Sequence, residues 1–271
     1  MTHPPFRFGP ALLFCPADRP DRFAKAAERA DAVILDLEDA VADDAKHAAR
    51  LAVVASTLDP ERVIVRVNPA STGYFADDLA ALAATEYRTV MLAKCEGTAD
   101  LVELEELEVL ALCETAAGVL AAAEVAAIPN VSALMWGAED LLASLGGSSS
   151  RRADGRYRDV ATHARSRVLL AAGAHGIAAI DAVHLDISDT AGLRDEAEDA
   201  AAVGFAATAC IHPSQVAIVR AAYRPEAERL EWARAVLAEA AGKPGVFAFR
   251  GGMVDAPVLR QAEAVLRRAG R

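Results

Sequence analysis

The sequence is poor in the residues that mark secreted, redox-active and membrane proteins. It has four cysteines, and none of them lie in a Cys-x-x-Cys pair. Its start, MTHPPFRFGP, has no long apolar segment of the kind found in secretory signals. The longest apolar-looking stretch, residues 115–128, is interrupted by Glu124 and is too short to span a bilayer. We therefore expect a cytoplasmic protein with no membrane partner, in which reduced thiols pack as small hydrophobic residues.

Positive charge is also scarce. The chain of 271 residues has 28 Lys and Arg against 39 Asp and Glu, for a net charge of −11, and only Lys25, Lys46, Lys94 and Lys243 are lysines. This balance argues against a nucleic-acid partner. It does not exclude an anionic small molecule, which needs only a few local cations. With 54% hydrophobic and 25% charged residues, the composition is that of a folded globular protein.

Eight short apolar runs, each four to seven residues long, recur along the chain. Nearly continuous apolar character is typical of parallel strands that are buried on both faces. Segments with helical periodicity separate many of the runs, and this alternation predicts a (β/α)8 TIM barrel. An open doubly wound sheet is the second choice, but no G-x-G-x-x-G turn follows the first run. The predicted strands cover residues 12–15, 33–37, 63–67, 90–93, 109–113, 133–136, 179–185 and 206–211.

The C-terminal segment is more than a closed barrel needs. A long helix is predicted over about residues 214–241, after which Gly and Pro punctuate the chain and Pro257 opens a final helix. We therefore predict a barrel over residues 1–245 and a C-terminal lid segment over residues 246–271.

Polar residues follow most of the predicted strands, at the barrel end where functional groups gather. Several acids at one end of the barrel would repel each other, and a bound divalent cation would relieve this repulsion. Oxygen ligands favour Mg²⁺ or Mn²⁺ over Zn²⁺. Some of these polar residues have alternative roles. Glu139 and Asp140 could simply begin a helix, and His212 could be a base, a metal ligand or a buried structural histidine. The strand-end residues are Asp36, Glu38, Asp39, Arg66, Asn68, Lys94, Glu96, Glu114, Glu139, Asp140, Asp186 and His212.

The motifs resemble those of a known family in order over almost the whole chain. The sequence contains LLFCPADRPDRFAKA, AVILDLEDAVADDAKHAAR, VIVRVN, MLAKCE, ALCETAAGV, MWGAEDL, ACIHPSQV and GGMVDAPVLRQAEAVL. On these segments it is similar to the stand-alone type of citrate lyase beta-subunit-like protein, in the HpcH/HpaI aldolase/citrate lyase superfamily. The resemblance implies a (β/α)8 barrel that binds Mg²⁺ and a coenzyme A thioester.

The resemblance also implies roles for individual residues. Glu114 and Asp140 match metal ligands, and Arg66 matches the arginine that holds the substrate's carboxylate and carbonyl. Glu38 and Asp39 match an acidic pair behind the metal's waters, and Asp255 matches an aspartate on a C-terminal lid. The predicted catalytic set is thus Asp255, Arg66, Glu38 and Asp39, and the predicted substrate-binding set is Arg66, Glu114, Lys94 and Asn68.

The family is commonly trimeric or hexameric, so the resemblance implies a homo-oligomer in which the lid covers a neighbouring subunit's site. Two departures from its pattern remove lysines that could meet CoA phosphates. Ala207 and Thr208 stand where many relatives have Gly-Lys, and Gly251-Gly252-Met253 stands where the lid often reads Gly-Lys-Met. An arginine-rich loop with Arg151, Arg152 and Arg156 is a candidate substitute.

The resemblance implies retro-Claisen cleavage of a 3-hydroxyacyl-CoA thioester to acetyl-CoA and an oxo acid. Citramalyl-, malyl-, citryl- and related 3-hydroxy-3-methylglutaryl-CoA esters are the expected substrate types. Three alternatives stay open at this stage: acyl-CoA thioesterase activity in the same site, a carrier-dependent citrate lyase beta subunit, and a CoA-independent class II aldolase.

Overall fold

The computed structural model describes residues 3–243 and 245–270. By internal contacts the chain divides into a barrel unit, which ends at Val219, and a C-terminal unit, which begins at Arg220. The predicted boundary lies later, at residue 246, and the role of the tail as a lid stays a prediction.

Eight parallel strands close the barrel in sequence order, which confirms the predicted (β/α)8 class and excludes the open sheet. Closure comes from β1 and β8, where Ala11 pairs with Thr208 and Leu13 with Cys210. The strands are β1 Ala11–Pro16, β2 Ala32–Asp36, β3 Val63–Val67, β4 Thr89–Leu92, β5 Glu108–Cys113, β6 Val131–Trp136, β7 Ala178–Asp181 and β8 Ala207–Cys210.

The barrel interior is filled by alternate residues of its strands, as the period of two in a strand requires. One buried cluster contains side chains from all eight strands, including Leu12, Ile34, Ile64, Met91, Leu110, Met135, Ile180 and Ala209. Asp36, Arg66 and Glu114 lie two residues after Ile34, Ile64 and Leu112 of this cluster, so they point to the same side of their strands, nearer the carboxyl end of the barrel. The core therefore ends where the polar residues begin.

Helices surround the barrel, although the layer is not uniform. Between β4 and β5 the chain forms a 3-10 helix, Thr98–Leu104, instead of an α-helix. None of the helices in the described part of the chain has the length and apolarity to cross a bilayer. The α-helices that begin within the barrel unit are α1 Phe23–Arg29, α2 Lys46–Val54, α3 Phe75–Ala83, α4 Ala116–Ala126, α5 Ala138–Ser144, α6 Asp159–His175, α7 Thr190–Val203 and α8 Pro213–Tyr223.

The C-terminal unit has its own small core. Helix α9 (Ala227–Ala240) is followed by an antiparallel hairpin, β9 (Phe247–Phe249) and β10 (Gly252–Val254), and by α10 (Ala256–Ala269). Its buried residues are Ala233, Val236, Val254 and Ala262. Pro257 lies in the first turn of α10, as predicted.

Two sequence-based boundaries were wrong. The seventh strand ends at Asp181, so the apolar residues Val183 and Leu185 belong to the following loop. The predicted long helix is two helices, because the segment between Tyr223 and Ala227 contains Pro225, which cannot continue the hydrogen-bonding pattern.

Candidate functional site

The carboxyl ends of β2 to β6 bring together most of the predicted site residues. Asp36 ends β2 and Arg66 lies near the end of β3. Glu114 directly follows β5, Lys94 lies two residues beyond β4, and Asp140 is in the first turn of α5. Because the strands are parallel, these side chains share one end of the barrel, as the sequence predicts.

Arg66 is held by two acids. Its Nε and Nη2 donate to the two carboxylate oxygens of Asp36 at 2.7 and 2.6 Å, and its Nη1 lies 3.0 Å from Glu38 Oε2. The guanidinium also lies over the ring of Phe14, 4.8 Å from its centroid. Burial alone would lower the pKa of Arg66, but Asp36 and Glu38 raise it, so the group stays charged.

Lys94 is the cation shared by the acids. Its ammonium hydrogen-bonds to Glu38 and Asp39 and lies 3.4 Å from Asp140 Oδ1. Burial opposes the charge, but Glu38 and Asp39 raise the pKa of Lys94. Two of its contacts are to predicted catalytic acids and one is to a predicted metal ligand.

Glu114 is the most deeply placed carboxylate beside this cation, with 3% of its surface exposed. Burial raises the pKa of Glu114 to about 8, and the Asp140 carboxylate adds to the shift, whereas Arg66 and Lys94 oppose it. Its side chain fits beside Gly137, where an added Cβ would lie 2.7 Å from Glu114 Oε2. A side chain at residue 137 would therefore displace this carboxylate.

The two predicted metal ligands fit a divalent cation. Glu114 is buried, and Asp140 is partly open, with 34% of its side chain exposed. Their mutual repulsion, visible in the raised pKa of Glu114, is the kind that a bound cation would relieve. The described residues contain no group of three or more His, Cys, Asp or Glu side chains arranged for a metal. Two protein carboxylates, with the other positions left to substrate and water, are the arrangement that suits Mg²⁺.

Two of the predicted residues have other partners. The amide nitrogen of Asn68 donates to Leu37 O at 3.0 Å and to Asp78 Oδ2 at 2.7 Å, so its donors are used inside the fold. Asp255 lies in the C-terminal unit, where it caps α10 by accepting from Val258 N. The roles of both residues toward substrate stay predictions.

The arginine-rich loop is only partly open to a ligand. Arg151 is committed to the fold: it pairs with Glu196, donates to Gly155 O and lies 3.9 Å from the ring centroid of Tyr157. Arg152 and Arg156 pair with Asp159 and Asp154 and are more exposed. Of the three, Arg152 and Arg156 leave more of their side-chain surface open to a phosphate.

Asp36 is one of the strand-end residues for which the sequence predicted no role. Its signal was an acid in the inward register of β2, aligned with Arg66 on β3. His212 also has a simple local role, since its ring nitrogen pairs with Ser214 Oγ at 2.8 Å.

Comparison with known proteins agrees with the fold and the motifs. Residues 11–213 match the family model for HpcH/HpaI aldolase/citrate lyase. A citrate lyase subunit beta-like protein of Mycobacterium tuberculosis is 62% identical over 262 residues, covering 97% of this chain and 96% of that one. A structure of the M. tuberculosis protein CitE with magnesium, acetoacetate and coenzyme A superposes with a TM-score of 0.92, at 61% identity over 97% of this chain and 99% of that one.

More distant relatives have named activities. The human mitochondrial citramalyl-CoA lyase is 32% identical over 93% of this chain and 83% of its own length. A (3S)-malyl-CoA thioesterase of Cereibacter sphaeroides is 36% identical over 86% of this chain and 82% of its own length. The resemblance predicted from the motifs is confirmed.

Proposed function

The chain belongs to the HpcH/HpaI aldolase/citrate lyase family and is an enzyme of the lyase class, and we propose that it cleaves a 3-hydroxyacyl-CoA thioester by Mg²⁺-dependent retro-Claisen chemistry. The products are acetyl-CoA and an oxo acid. The observation that carries the proposal is the meeting of Glu114, Asp140, Arg66 and Lys94 at one barrel mouth. Support also comes from the CitE structure, which holds magnesium and coenzyme A.

Glu114 and Asp140 would hold the Mg²⁺, which when bound supplies Lewis-acid polarisation of the substrate's hydroxyl and carboxylate oxygens. Arg66 binds the same end of the substrate, because a planar guanidinium matches a carboxylate and remains charged in this site. Glu38 and Asp39 are tied to Lys94 and orient water at the mouth. Lys94 keeps this group of acids compatible with an anionic substrate.

The reaction breaks the bond between the carbinol carbon and the carbon next to the thioester. Asp255 accepts the hydroxyl proton, the oxygen becomes the carbonyl of the oxo acid, and the bonding electron pair moves into a thioester enolate. A proton then returns to the enolate carbon and gives acetyl-CoA. We assign this proton transfer to Asp255.

We further propose a homo-oligomer, a trimer or hexamer, in which Asp255 of one copy serves the site of a neighbouring copy. The motif Gly-x-Met-Val-Asp supports this role, together with the C-terminal unit that has a core of its own. Closure of such a segment would exclude water from the enolate.

Substrate choice is proposed within a short list: citramalyl-, malyl-, citryl- or 3-hydroxy-3-methylglutaryl-CoA. Citramalyl-CoA is our first choice because a relative with that named activity covers 93% of the chain. Thioester hydrolysis is the second candidate, since the (3S)-malyl-CoA thioesterase matches 86% of the chain.

A panel assay tests the proposal. The purified protein would be incubated with Mg²⁺ and each ester, and the products would be separated by liquid chromatography and identified by mass spectrometry. We expect equal amounts of acetyl-CoA and oxo acid from at least one ester. Free CoA with an intact hydroxy acid would mean hydrolysis, and no product from any ester would reject the lyase proposal.

A further inference from the structure

Asp36 is almost completely buried, with 1% of its surface exposed. Its carboxylate accepts hydrogen bonds from the Arg66 guanidinium and from two backbone N–H groups of the following turn. Oδ1 accepts from Arg66 Nε at 2.7 Å and from Glu38 N at 2.9 Å. Oδ2 accepts from Arg66 Nη2 at 2.6 Å and from Ala40 N at 3.2 Å. One carboxylate therefore joins the arginine of the site to the turn that carries Glu38 and Asp39.

The bonds to Arg66 fix the direction of its guanidinium. A side-by-side pair of charge-assisted hydrogen bonds allows one orientation, and rotation of the guanidinium would break both of them. Asp36 and Arg66 are register partners on β2 and β3, so the backbone holds them together as well. The Asp36 contact takes one edge of the guanidinium and leaves the remaining N–H groups of Nη1 and Nη2 for other partners.

The bonds to the backbone fix the adjacent turn. The amide groups of Glu38 and Ala40 point at the Asp36 carboxylate, in the pattern of an aspartate that caps its own following turn. This turn places Glu38 Oε2 at 3.0 Å from Arg66 Nη1 and Asp39 within reach of Lys94. Loss of the Asp36 charge would thus release two parts of the site together.

We propose that Asp36 is a positioning residue of the site, which sets the direction of the Arg66 guanidinium and the conformation of the Glu38–Asp39 turn. Its effect on turnover rests on the proposed function, whereas its effect on Arg66 does not. It acts through Arg66 and the turn, with no contact to the reacting atoms required.

The first test follows Arg66 itself. Nuclear magnetic resonance would compare proton exchange at the Arg66 Nε–H in the wild type and in Asp36→Asn, in which an amide donor faces the arginine donors. Asp181→Asn is the matched control, because Asp181 is a buried aspartate that holds another arginine, Arg165, outside the barrel wall. We expect exchange at Arg66 to accelerate at least tenfold in Asp36→Asn and to stay unchanged in Asp181→Asn. Unchanged exchange in a folded Asp36→Asn protein would overturn the proposal, whether or not the wild type is a lyase.

The second test measures kcat and KM on an ester that the wild type cleaves. We expect Asp36→Asn to lose about 10²-fold in kcat/KM, the scale of a small misplacement of a binding group. The loss should be less than additive with Arg66→Lys, because the part that acts through Arg66 is already absent in that variant and only the part that acts through the Glu38–Asp39 turn remains. Full additivity, or wild-type kinetics in Asp36→Asn, would overturn the proposal.

A third variant keeps the proposal testable if Asp36→Asn fails to fold. Asp36→Glu retains the charge but moves the carboxylate by one methylene, so we expect a folded protein with an intermediate loss of kcat/KM and faster Arg66 exchange. Wild-type exchange and kinetics in Asp36→Glu would contradict a positioning role. If the wild type cleaves none of the esters, the proposed function fails, and the exchange measurement still decides the role of Asp36.

Discussion

Lys94 contacts Glu114 through its backbone and the other acids through its side chain. The Lys94 N–H donates to Glu114 Oε1 at 3.1 Å, and the residue adopts a left-handed conformation with φ of 48°. This left-handed conformation is energetically unfavourable for lysine, and it is retained only where surrounding contacts fix the backbone. The strained turn lets one residue hold the buried Glu114 with its N–H and contact Glu38, Asp39 and Asp140 with its ammonium.

Removal of the Lys94 charge should therefore destabilise the metal-free protein. Lys94→Met leaves the buried Glu38 without one of its charged partners, and we expect a loss of about 1–3 kcal/mol in the free energy of unfolding. Thermal unfolding followed by circular dichroism in a chelator would measure it. Lys243→Met is the control, since Lys243 pairs with Glu239 on the surface, where an ion pair contributes about 0–1 kcal/mol. Equal changes in the two variants would contradict this account of Lys94.

Asp255 can be tested as a proton-transfer group separately from its structural role. Its side chain caps α10, and Asn caps a helix about as well as Asp does. Asp255→Asn should keep the stability of the wild type and lose most of its turnover, while binding of the CoA ester changes little. Asp255→Ala should lose the same turnover and also about 1 kcal/mol of stability. Near-wild-type turnover in Asp255→Asn would leave Asp255 only as a helix cap.

Sharing of the site between copies predicts complementation. Glu114→Gln and Asp255→Asn should each be inactive alone, because each removes one half of the site. If the site combines Glu114 of one copy with Asp255 of another, mixed and reassembled oligomers should regain about a quarter of the wild-type activity from random pairing in a closed ring. Activity that stays at the level of the separate variants would show that no shared site forms.

His184 should make part of the stability depend on pH. It is buried, its Nδ1 lies 2.9 Å from Glu196 Oε2, and its Nε2 lies 3.3 Å from Asp189 Oδ2. The hydrogen bond to Glu196 raises the pKa of His184 above 6.5, although burial and the nearby Arg151 oppose the shift. A raised pKa means that the folded state favours the protonated form. Its stabilising contribution is complete below pH 6.5 and disappears as the pH rises through the folded-state pKa.

The measurement compares the wild type with His184→Gln. We expect the wild type to exceed the variant in melting temperature by more at pH 5.5 than at pH 9. His163→Gln, a change at an exposed position of α6, provides the control. A difference between wild type and His184→Gln that is constant with pH would show that His184 does not titrate in this way.

Sequence patterns predicted the barrel because each of the eight strands is a short apolar run, and parallel strands buried on both faces have that character. The same patterns gave wrong boundaries where an apolar residue lies outside a strand or where a proline ends a helix. Val183 and Leu185 are apolar but follow the end of β7, and the effect of Pro225 on the predicted long helix was missed. Local composition does not show which apolar residues pair with an adjacent strand and which lie beyond the end of the sheet.

The same limit applies to the site. Strand ends predicted the convergence of Glu114, Lys94 and Arg66, because that convergence follows from topology alone. The role of Asp36 could be recognised only from the register between β2 and β3. The hydrogen bond of Asn68 to Asp78 could be recognised only once α3, which carries Asp78, was packed against the barrel. Side-chain partners that come from different elements are set by packing, which the pattern of a single segment does not contain.

On the proposed mechanism, carbon–carbon cleavage requires a divalent cation held by Glu114 and Asp140. The most direct measurement is the rate of acetyl-CoA release from an ester cleaved by the wild type, as a function of Mg²⁺, for wild type, Glu114→Gln, Asp140→Asn and the surface control Glu124→Gln. We expect the wild type and control to saturate with Mg²⁺ and to stop after chelation. The two site variants should be slower by about 10³-fold, because a Lewis acid contributes several kcal/mol to such a transition state. Undiminished release after exhaustive chelation, or wild-type rates in both site variants, would contradict the claim.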